Sequence, residues 1–220
     1  MDIKNPWAEI PNEPDYVLPQ DAPFVRGYNR LCTEGATLWI NLKYTPEPRL
    51  GPVDAPVYVL QANPSYDLDV PNGSPDPRAV AAELASIRDD HTPHLGISSD
   101  NPWWRKTLGQ LARQVGRGKA AGGVCSVEFF PYRSQRFGHG HVRLPSQQYT
   151  FALVDRAARE GRIIIVTRRA QEWFGALPAL ADLLDKTVFL SKNVQRPFIT
   201  PGNLPDGVYS TICERVSEHA

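Results

Sequence analysis

The sequence predicts an α/β domain: a three-layer α/β/α arrangement around a central four-stranded, mainly parallel sheet. Three observations carry this. Four short runs, 57–60, 124–130, 162–167 and 186–191, are rich in β-branched, aromatic and aliphatic residues, as strands buried on both faces require. The segments between them repeat apolar residues at helical spacing. Each intervening segment is long enough to bring the chain back for a parallel neighbour.

The first 56 residues are proline-rich and are expected to be largely irregular, since proline fixes φ and removes a backbone donor. Trp7, Tyr16, Phe24, Tyr28, Leu31 and Trp39 are the apolar anchors expected there, and 38–42 is a candidate edge strand. The division expected is an extension, residues 1–45, packed on an α/β domain, residues 46–220. Val57 to Leu60 form the first strand, which Pro64 ends because it pushes Asn63 out of helical geometry and donates nothing to a ladder. Residues 67–77, with Asn72-Gly73, read as a loop.

Asp76-Pro77 then starts a helix with Val80, Leu84 and Ile87 at helical spacing. Residues 89–100 are polar and read as an exposed loop containing His91, Pro93, His94 and Gly96. Asp100 or Asn101 is placed to cap the next helix, whose apolar side carries Trp103, Trp104, Leu108, Leu111 and Val115. A second strand over 124–130 ends at Pro131. A helix over 146–160 turns Phe151, Val154 and Ala158 inward. The third strand, Arg162 to Thr167, is the clearest in the chain. Short helical stretches follow near Ala170–Phe174 and Ala179–Leu184, then the strand Lys186–Ser191, a loop over 192–197 and a last helix over 205–216.

Lys plus Arg and Asp plus Glu both total 24, so no global charge advertises a polyanionic partner. Arg105 to Arg143 nevertheless carries only Glu128 against its basic residues, so a local basic face is available to hold phosphates. Cys32, Cys125 and Cys213 are scattered, and neither they nor the five His residues show ligand spacing, so no metal and no disulfide is expected. The start of the chain lacks a signal-peptide apolar core, and no run approaches a membrane span. A soluble cytoplasmic monomer without cofactor is expected.

In a parallel sheet, ligands bind outside the carboxyl ends of the strands. Those ends supply Asn63, Ser65 and Tyr66; then Glu128, Phe129, Phe130, Arg133 and Ser134; then Arg168-Arg169; then Lys192, Asn193 and Arg196. The set is rich in amides, hydroxyls, guanidinium groups and rings. No G-x-S-x-G elbow and no glycine-rich phosphate loop is present, which argues against ester hydrolysis, hydride transfer and ATP hydrolysis. Aromatic rings beside basic and small polar groups suit a flipped base with flanking phosphates held. Each residue also has a local reading: a turn-capping amide for Asn63, core packing for the rings, backbone satisfaction for the serines.

The segment Pro46-Glu-Pro-Arg-Leu-Gly-Pro-Val-Asp-Ala-Pro-Val-Tyr-Val-Leu-Gln-Ala-Asn-Pro-Ser65 resembles the first strand and motif of the uracil-DNA glycosylase superfamily. Asn101-Pro-Trp-Trp-Arg-Lys-Thr-Leu108 is similar to the N-x-F-W-x-x-L helix start of its thymine-DNA glycosylase branch. Val127-Glu-Phe-Phe-Pro131 and Arg162 to Trp173 resemble its second and third strands. The resemblance covers roughly residues 46–204 through short, degenerate motifs.

It implies a DNA glycosylase acting on double-stranded DNA; since nothing in the sequence marks Lys192 as an activated amine, a monofunctional enzyme that leaves an abasic site is expected. Asn63 would place the hydrolytic water. Tyr66, Glu128, Phe129 and Asn193 would meet the base, and Ser65, Arg133, Ser134, Lys192 and Arg196 the phosphates. Two departures stand out. The last motif has no His, leaving Lys192, Asn193 or Arg196 to replace it, and Glu128 stands where uracil enzymes use Asn. A carboxylate only accepts, which suits the exocyclic amine of cytosine. Some relatives in phage defence remove glucosylated hydroxymethylcytosine, a substrate of that kind. The alternatives are a non-catalytic module binding a nucleotide or modified base, and a conventional uracil-DNA glycosylase in repair.

Overall fold

Four consecutive fully buried residues, Val57-Tyr-Val-Leu60, form the strand on which the sheet is built. The computed structural model describes residues 4–66, 76–99 and 101–219. The expected Asn72-Gly73 loop and the Asp100 cap lie outside them. Five strands form one sheet: β1 (Arg49–Leu50), β2 (Val57–Leu60), β3 (Val124–Val127), β4 (Ile163–Val166) and β5 (Val188–Leu190), in the order β1-β3-β2-β4-β5. β2 pairs in parallel with β3, Val57 opposite Val124, and with β4, Val57 opposite Ile163; β4 pairs in parallel with β5. The sheet therefore has five strands rather than four. The fifth is the two-residue β1 and not 38–42, where the Ile40 backbone instead exchanges hydrogen bonds with the Asn29 side chain at 2.8 and 3.0 Å.

The helices are α1 (Ala22–Asn29), α2 (Pro77–Arg88), α3 (Leu95–Ser98), α4 (Pro102–Val115), α5 (Arg117–Gly123), α6 (Gln147–Arg159), α7 (Ala170–Ala176) and α8 (Val208–Glu218). Short 3₁₀ turns lie at Pro6–Glu9, Pro178–Leu183 and Pro201–Asn203. The chain is mixed α/β, and burial on both faces of the inner strands is compatible with three layers. It divides into two compact units. One comprises Met1–Arg49, Ala62–Asp89 and Glu128–Ala152; the other comprises Leu50–Gln61, Asp90–Val127 and Leu153–Ala220.

The second unit holds strands β2 to β5. Val57, Val59, Ile163 and Ile165 share one face and pack with Leu108 and Leu111 of α4, Ala120 of α5 and Ile212 and Val216 of α8. Asn101 caps α4 by accepting from the N–H of Trp103 at 2.9 Å, and Pro102 fits its first turn. Each buried leucine of α4 contributes about 1.5–3 kcal/mol, so Leu108→Ala is expected to cost about 2–5 kcal/mol. Gly51, at φ +99°, is required after β1, because a Cβ there would lie 2.0 Å from the Val124 carbonyl oxygen.

Residues 89–93 form the exposed loop the sequence suggests, but from His94 onward the stretch turns inward. His94 is fully buried, bonded through Nε2 to the Ser126 hydroxyl at 2.9 Å, and α3 follows it. Burial pushes the His94 imidazole down to about 3.

The first unit is more regular than its prolines suggest. Pro23 sits in the first turn of α1, where a missing N–H costs nothing, and the helix buries Val25, Tyr28 and Asn29. Trp7, Tyr16 and Tyr28 are buried anchors, but Phe24 and Leu31 are 48% and 85% exposed. Trp7 meets the ring of Tyr132 edge-on at 5.9 Å. The Tyr132 hydroxyl donates to Asp21 at 2.8 Å and accepts from the Leu18 N–H at 3.1 Å.

Candidate functional site

Along the sheet, the chain moves from β2 to β3 on one side, then crosses to β4 and β5 on the other. β2 and β4 thus flank the switch point, the position at whose carboxyl edge open α/β sheets bind ligands. At this edge Thr167 donates through its N–H and its hydroxyl to the Leu60 carbonyl, at 3.0 and 2.7 Å, and the Trp173 indole donates to Gln61 O at 2.8 Å. Arg169, at φ +57°, turns the chain left-handed immediately before α7.

Asn63 lies three residues beyond β2. Its amide nitrogen donates to the Pro64 carbonyl at 3.0 Å, the Ser134 carbonyl at 3.0 Å and the Ser134 hydroxyl at 2.9 Å. Two carbonyl oxygens can only accept, so the amide is fixed with nitrogen toward them. The Ser134 hydroxyl donates onward to the Arg136 carbonyl at 3.1 Å and must therefore accept from Asn63. Oδ1 accepts no hydrogen bond from any described residue. Asn63 is half-buried, so it offers an oriented acceptor held by a hydrogen-bonded support.

Arg133 and Ser134 occupy the same stretch in another way. Arg133 donates from Nε to Thr45 O at 2.8 Å, from Nη1 to Ser65 O at 2.8 Å and from Nη2 to Glu47 Oε2 at 3.0 Å. The Arg133 and Glu47 side chains are only 14% and 15% exposed. Burial raises the Glu47 carboxyl above its ordinary range; the Arg133 charge partly offsets this, and nearby Glu83 adds to it. Ser134 is buried. Both residues sequence reasoning gave to phosphates thus spend their polar groups on the protein itself. Ser65 is exposed, and its hydroxyl makes no hydrogen bond among the described residues.

Tyr66 stacks on Tyr44 with ring centroids 5.0 Å apart, and its carbonyl accepts from Gln135. It borders a groove of about 820 Å³, whose walls include Trp39, Asp15, Asn29, Asn41 and Lys43. The groove adjoins the Asn63 support through the Asn41 N–H, which donates to Arg133 O at 2.9 Å. Phe129 is fully buried between Phe151 at 5.4 Å, Phe137 at 6.2 Å and the Arg143 guanidinium at 5.3 Å, so its ring has no surface to offer a base. Glu128, one residue beyond β3, is buried, and its N–H donates to Pro48 O at 3.1 Å.

The other unit carries the loop after β5. Asn203 holds it: its amide donates to the Ser191 hydroxyl and to the carbonyls of Arg196 and Phe198, each at 2.9 Å, and its carbonyl accepts from the Asn193 N–H at 2.8 Å. The Asn193 side chain accepts from the N–H groups of Gln195 and Arg196, at 3.0 and 3.1 Å, closing a turn of its own. Lys192 and Arg196 are exposed; Lys192 lies 3.7 Å from Asp206, and the Arg196 guanidinium has no partner among the described residues. Val194 stands 59% exposed between them. Sequence reasoning missed Glu47, Asn203 and Val194, although all three fall within the resembling stretch.

Asn63, Ser65, Tyr66, Glu128, Phe129, Arg133 and Ser134 fall in one unit, and Lys192, Asn193 and Arg196 in the other. Among the described residues no group of His, Cys, Asp and Glu is placed to hold a metal, and no helix is long and apolar enough to cross a membrane. Together these features define a mixed α/β protein with an oriented amide beyond its central strand. Comparisons with family models, curated proteins and solved structures returned no match to the chain.

Proposed function

We propose that this chain is a monofunctional DNA glycosylase of the uracil-DNA glycosylase type, acting on a modified cytosine. The observation that carries the reading is the orientation of Asn63. Hydrolysis of an N-glycosidic bond needs a water held beside the sugar carbon while negative charge collects on the departing base. Oδ1 of Asn63 is an acceptor for such a water, and the Ser134 and Pro64 carbonyls keep the amide from rotating. The groove bordered by Tyr66 offers room and polar groups for a bulky base substituent such as a hexose. Glu128, a buried acceptor, suits an exocyclic amine better than a uracil carbonyl. Lys192, Val194 and Arg196 form an exposed apolar tip between two cations, suited to pressing on a base stack while holding phosphates.

The test compares duplexes containing uracil, cytosine, hydroxymethylcytosine and glucosylated hydroxymethylcytosine, each treated with alkali after incubation. Breaks only at the modified cytosines, lost in Asn63→Ala while binding persists, are the expected result. Efficient uracil release with no action on modified cytosine would overturn the substrate assignment. A second reading, a non-catalytic module binding a modified base, is favoured by the engagement of the Asn193 carbonyl in its own turn, which removes one of the three residues available in place of the missing His. Such a module shifts the mobility of the modified duplex but leaves no alkali-labile site.

A further inference from the structure

We infer that a slot between α3, α4 and the start of α5 is a docking site for an acidic peptide segment of a partner protein, one presenting a single apolar side chain flanked by carboxylates. The slot lies wholly within the sheet-bearing unit and has a volume of about 310 Å³. Its floor is Ile97, Trp104 and Leu108, and Arg105, Arg113 and Arg117 stand around its mouth. The described lining contains no Asp or Glu.

Size and charge together select the occupant. The volume sits at the lower end of ligand pockets, enough for one Phe- or Leu-sized side chain rather than an extended small molecule. Three planar guanidinium groups around an apolar floor match an anchor residue with carboxylates on either side, a mode in which arginine clusters read acidic motifs. Arg117 is oriented for this, because its Nε donates to Ile97 O at 3.1 Å and fixes the guanidinium at the mouth.

The opening of the slot is not a packing necessity. Gly109 lies inside α4, where glycine costs about 1 kcal/mol relative to alanine. A Cβ there would find only ordinary contacts, 3.6 Å to Arg113 Nη1 and 3.7 Å to Arg105 Cγ. The fold would accept a side chain at this position, and its absence keeps the space between two arginines clear. The slot is also separate from the carboxyl-edge chemistry. None of its lining residues is among those assigned to water, base or phosphate. The inference therefore stands independently of the glycosylase reading.

The experiment titrates the full chain with the peptide acetyl-Glu-Asp-Phe-Asp-Glu-amide, followed by calorimetry and Trp fluorescence. One-to-one binding is expected, weakened by at least about tenfold when Phe is replaced by Ala or the acidic residues by Gln. Gly109→Leu, which fills the slot, and Arg113→Glu, an exposed change, should each weaken it by about tenfold without lowering the thermal midpoint. Absence of binding at millimolar peptide would overturn the inference. So would competition by plain duplex DNA combined with indifference to the Phe and to Gly109→Leu, which describes a polyanion surface. Phenylpropanoate binding as tightly as the peptide would also overturn it, in favour of a small-molecule site.

Discussion

The polar cluster around Asn63 and the loop around Asn193 are built from the same kinds of side chain and use them in opposite ways. In the first, Arg133 directs Nε and both terminal nitrogens at Thr45, Ser65 and Glu47, and the Ser134 hydroxyl donates to the Arg136 carbonyl, so cation and hydroxyl are structural. One group, the Asn63 carbonyl, remains outside this network. In the second, a buried Asn203 closes the loop from below, and the charged residues at its surface do almost none of the holding. Buried polar groups must be satisfied locally, whereas exposed ones can keep their capacity for a ligand. Under the proposed function, water placement falls to the first region and electrostatic contact to the second.

The strongest way to break this contrast is Asn63→Ala. If the oriented carbonyl places water, single-turnover base release falls by about 10²- to 10³-fold, or about 3–4 kcal/mol, while DNA affinity stays within a factor of a few. Asn63→Asp tests the support itself. It turns an anionic oxygen toward the Pro64 and Ser134 carbonyls and should cost about 2 kcal/mol of folding stability by urea unfolding. Base release at the wild-type rate in Asn63→Ala would end the catalytic reading of this amide.

Next in size is Arg133→Met, which strands the buried Glu47 carboxylate and leaves two carbonyls without their donor. A loss of about 3 kcal/mol in urea unfolding is expected, against less than about 0.5 kcal/mol for Arg196→Met. Equal effects of the two changes would erase the distinction between a structural and a surface arginine.

How much of this was legible in the sequence depended on whether the signal was local. The inner strands were legible because runs such as Ile163-Ile-Ile-Val166 can satisfy their burial only inside a sheet. Pro23 concealed α1, since a first-turn proline looks like a breaker unless the amphipathic residues after it are weighed. Glycines at 116, 118, 122 and 123 concealed α5, which tertiary packing against α8 holds in place. At the site, strand ends supplied the right neighbourhood, but not which side chains were already committed. Arg133 meets a carboxylate 86 positions earlier, and Asn203 meets Ser191 12 positions earlier; neither separation leaves a periodic trace.

A smaller effect separates the regions by salt. Lys192→Gln with Arg196→Gln should leave stability unchanged and reduce the slope of log affinity for duplex DNA against log salt by about 2, roughly one for each phosphate no longer neutralised. An unchanged slope would remove the loop from the DNA-binding surface. Comparison with Arg133→Met, made on the folded fraction, sharpens the point, since a guanidinium spent on Thr45, Ser65 and Glu47 should contribute little to that slope.

The subtlest test is a pH tilt at Glu47, and its sign follows from linkage. Burial, the largest influence, raises this carboxyl above its ordinary 4.5 in the folded chain, Glu83 adds to the rise, and Arg133 only partly opposes it. Between the ordinary and the raised value, the folded state holds a proton that the unfolded state has released. Unfolding free energy therefore falls as pH rises through that window. The penalty is complete above the raised value and absent well below 4.5. Glu47→Gln does not titrate, so the stability of the wild type minus that of the variant should decline as pH increases from about 4.5 toward neutrality. Subtraction removes groups common to both proteins, including His94, whose imidazole is pushed down to about 3 and tilts stability the other way. Urea midpoints for the two proteins at several pH values give the curve. A flat difference would mean that Arg133 fully offsets burial, which would make the pair a simple ion pair instead of a strained one beneath the Asn63 support.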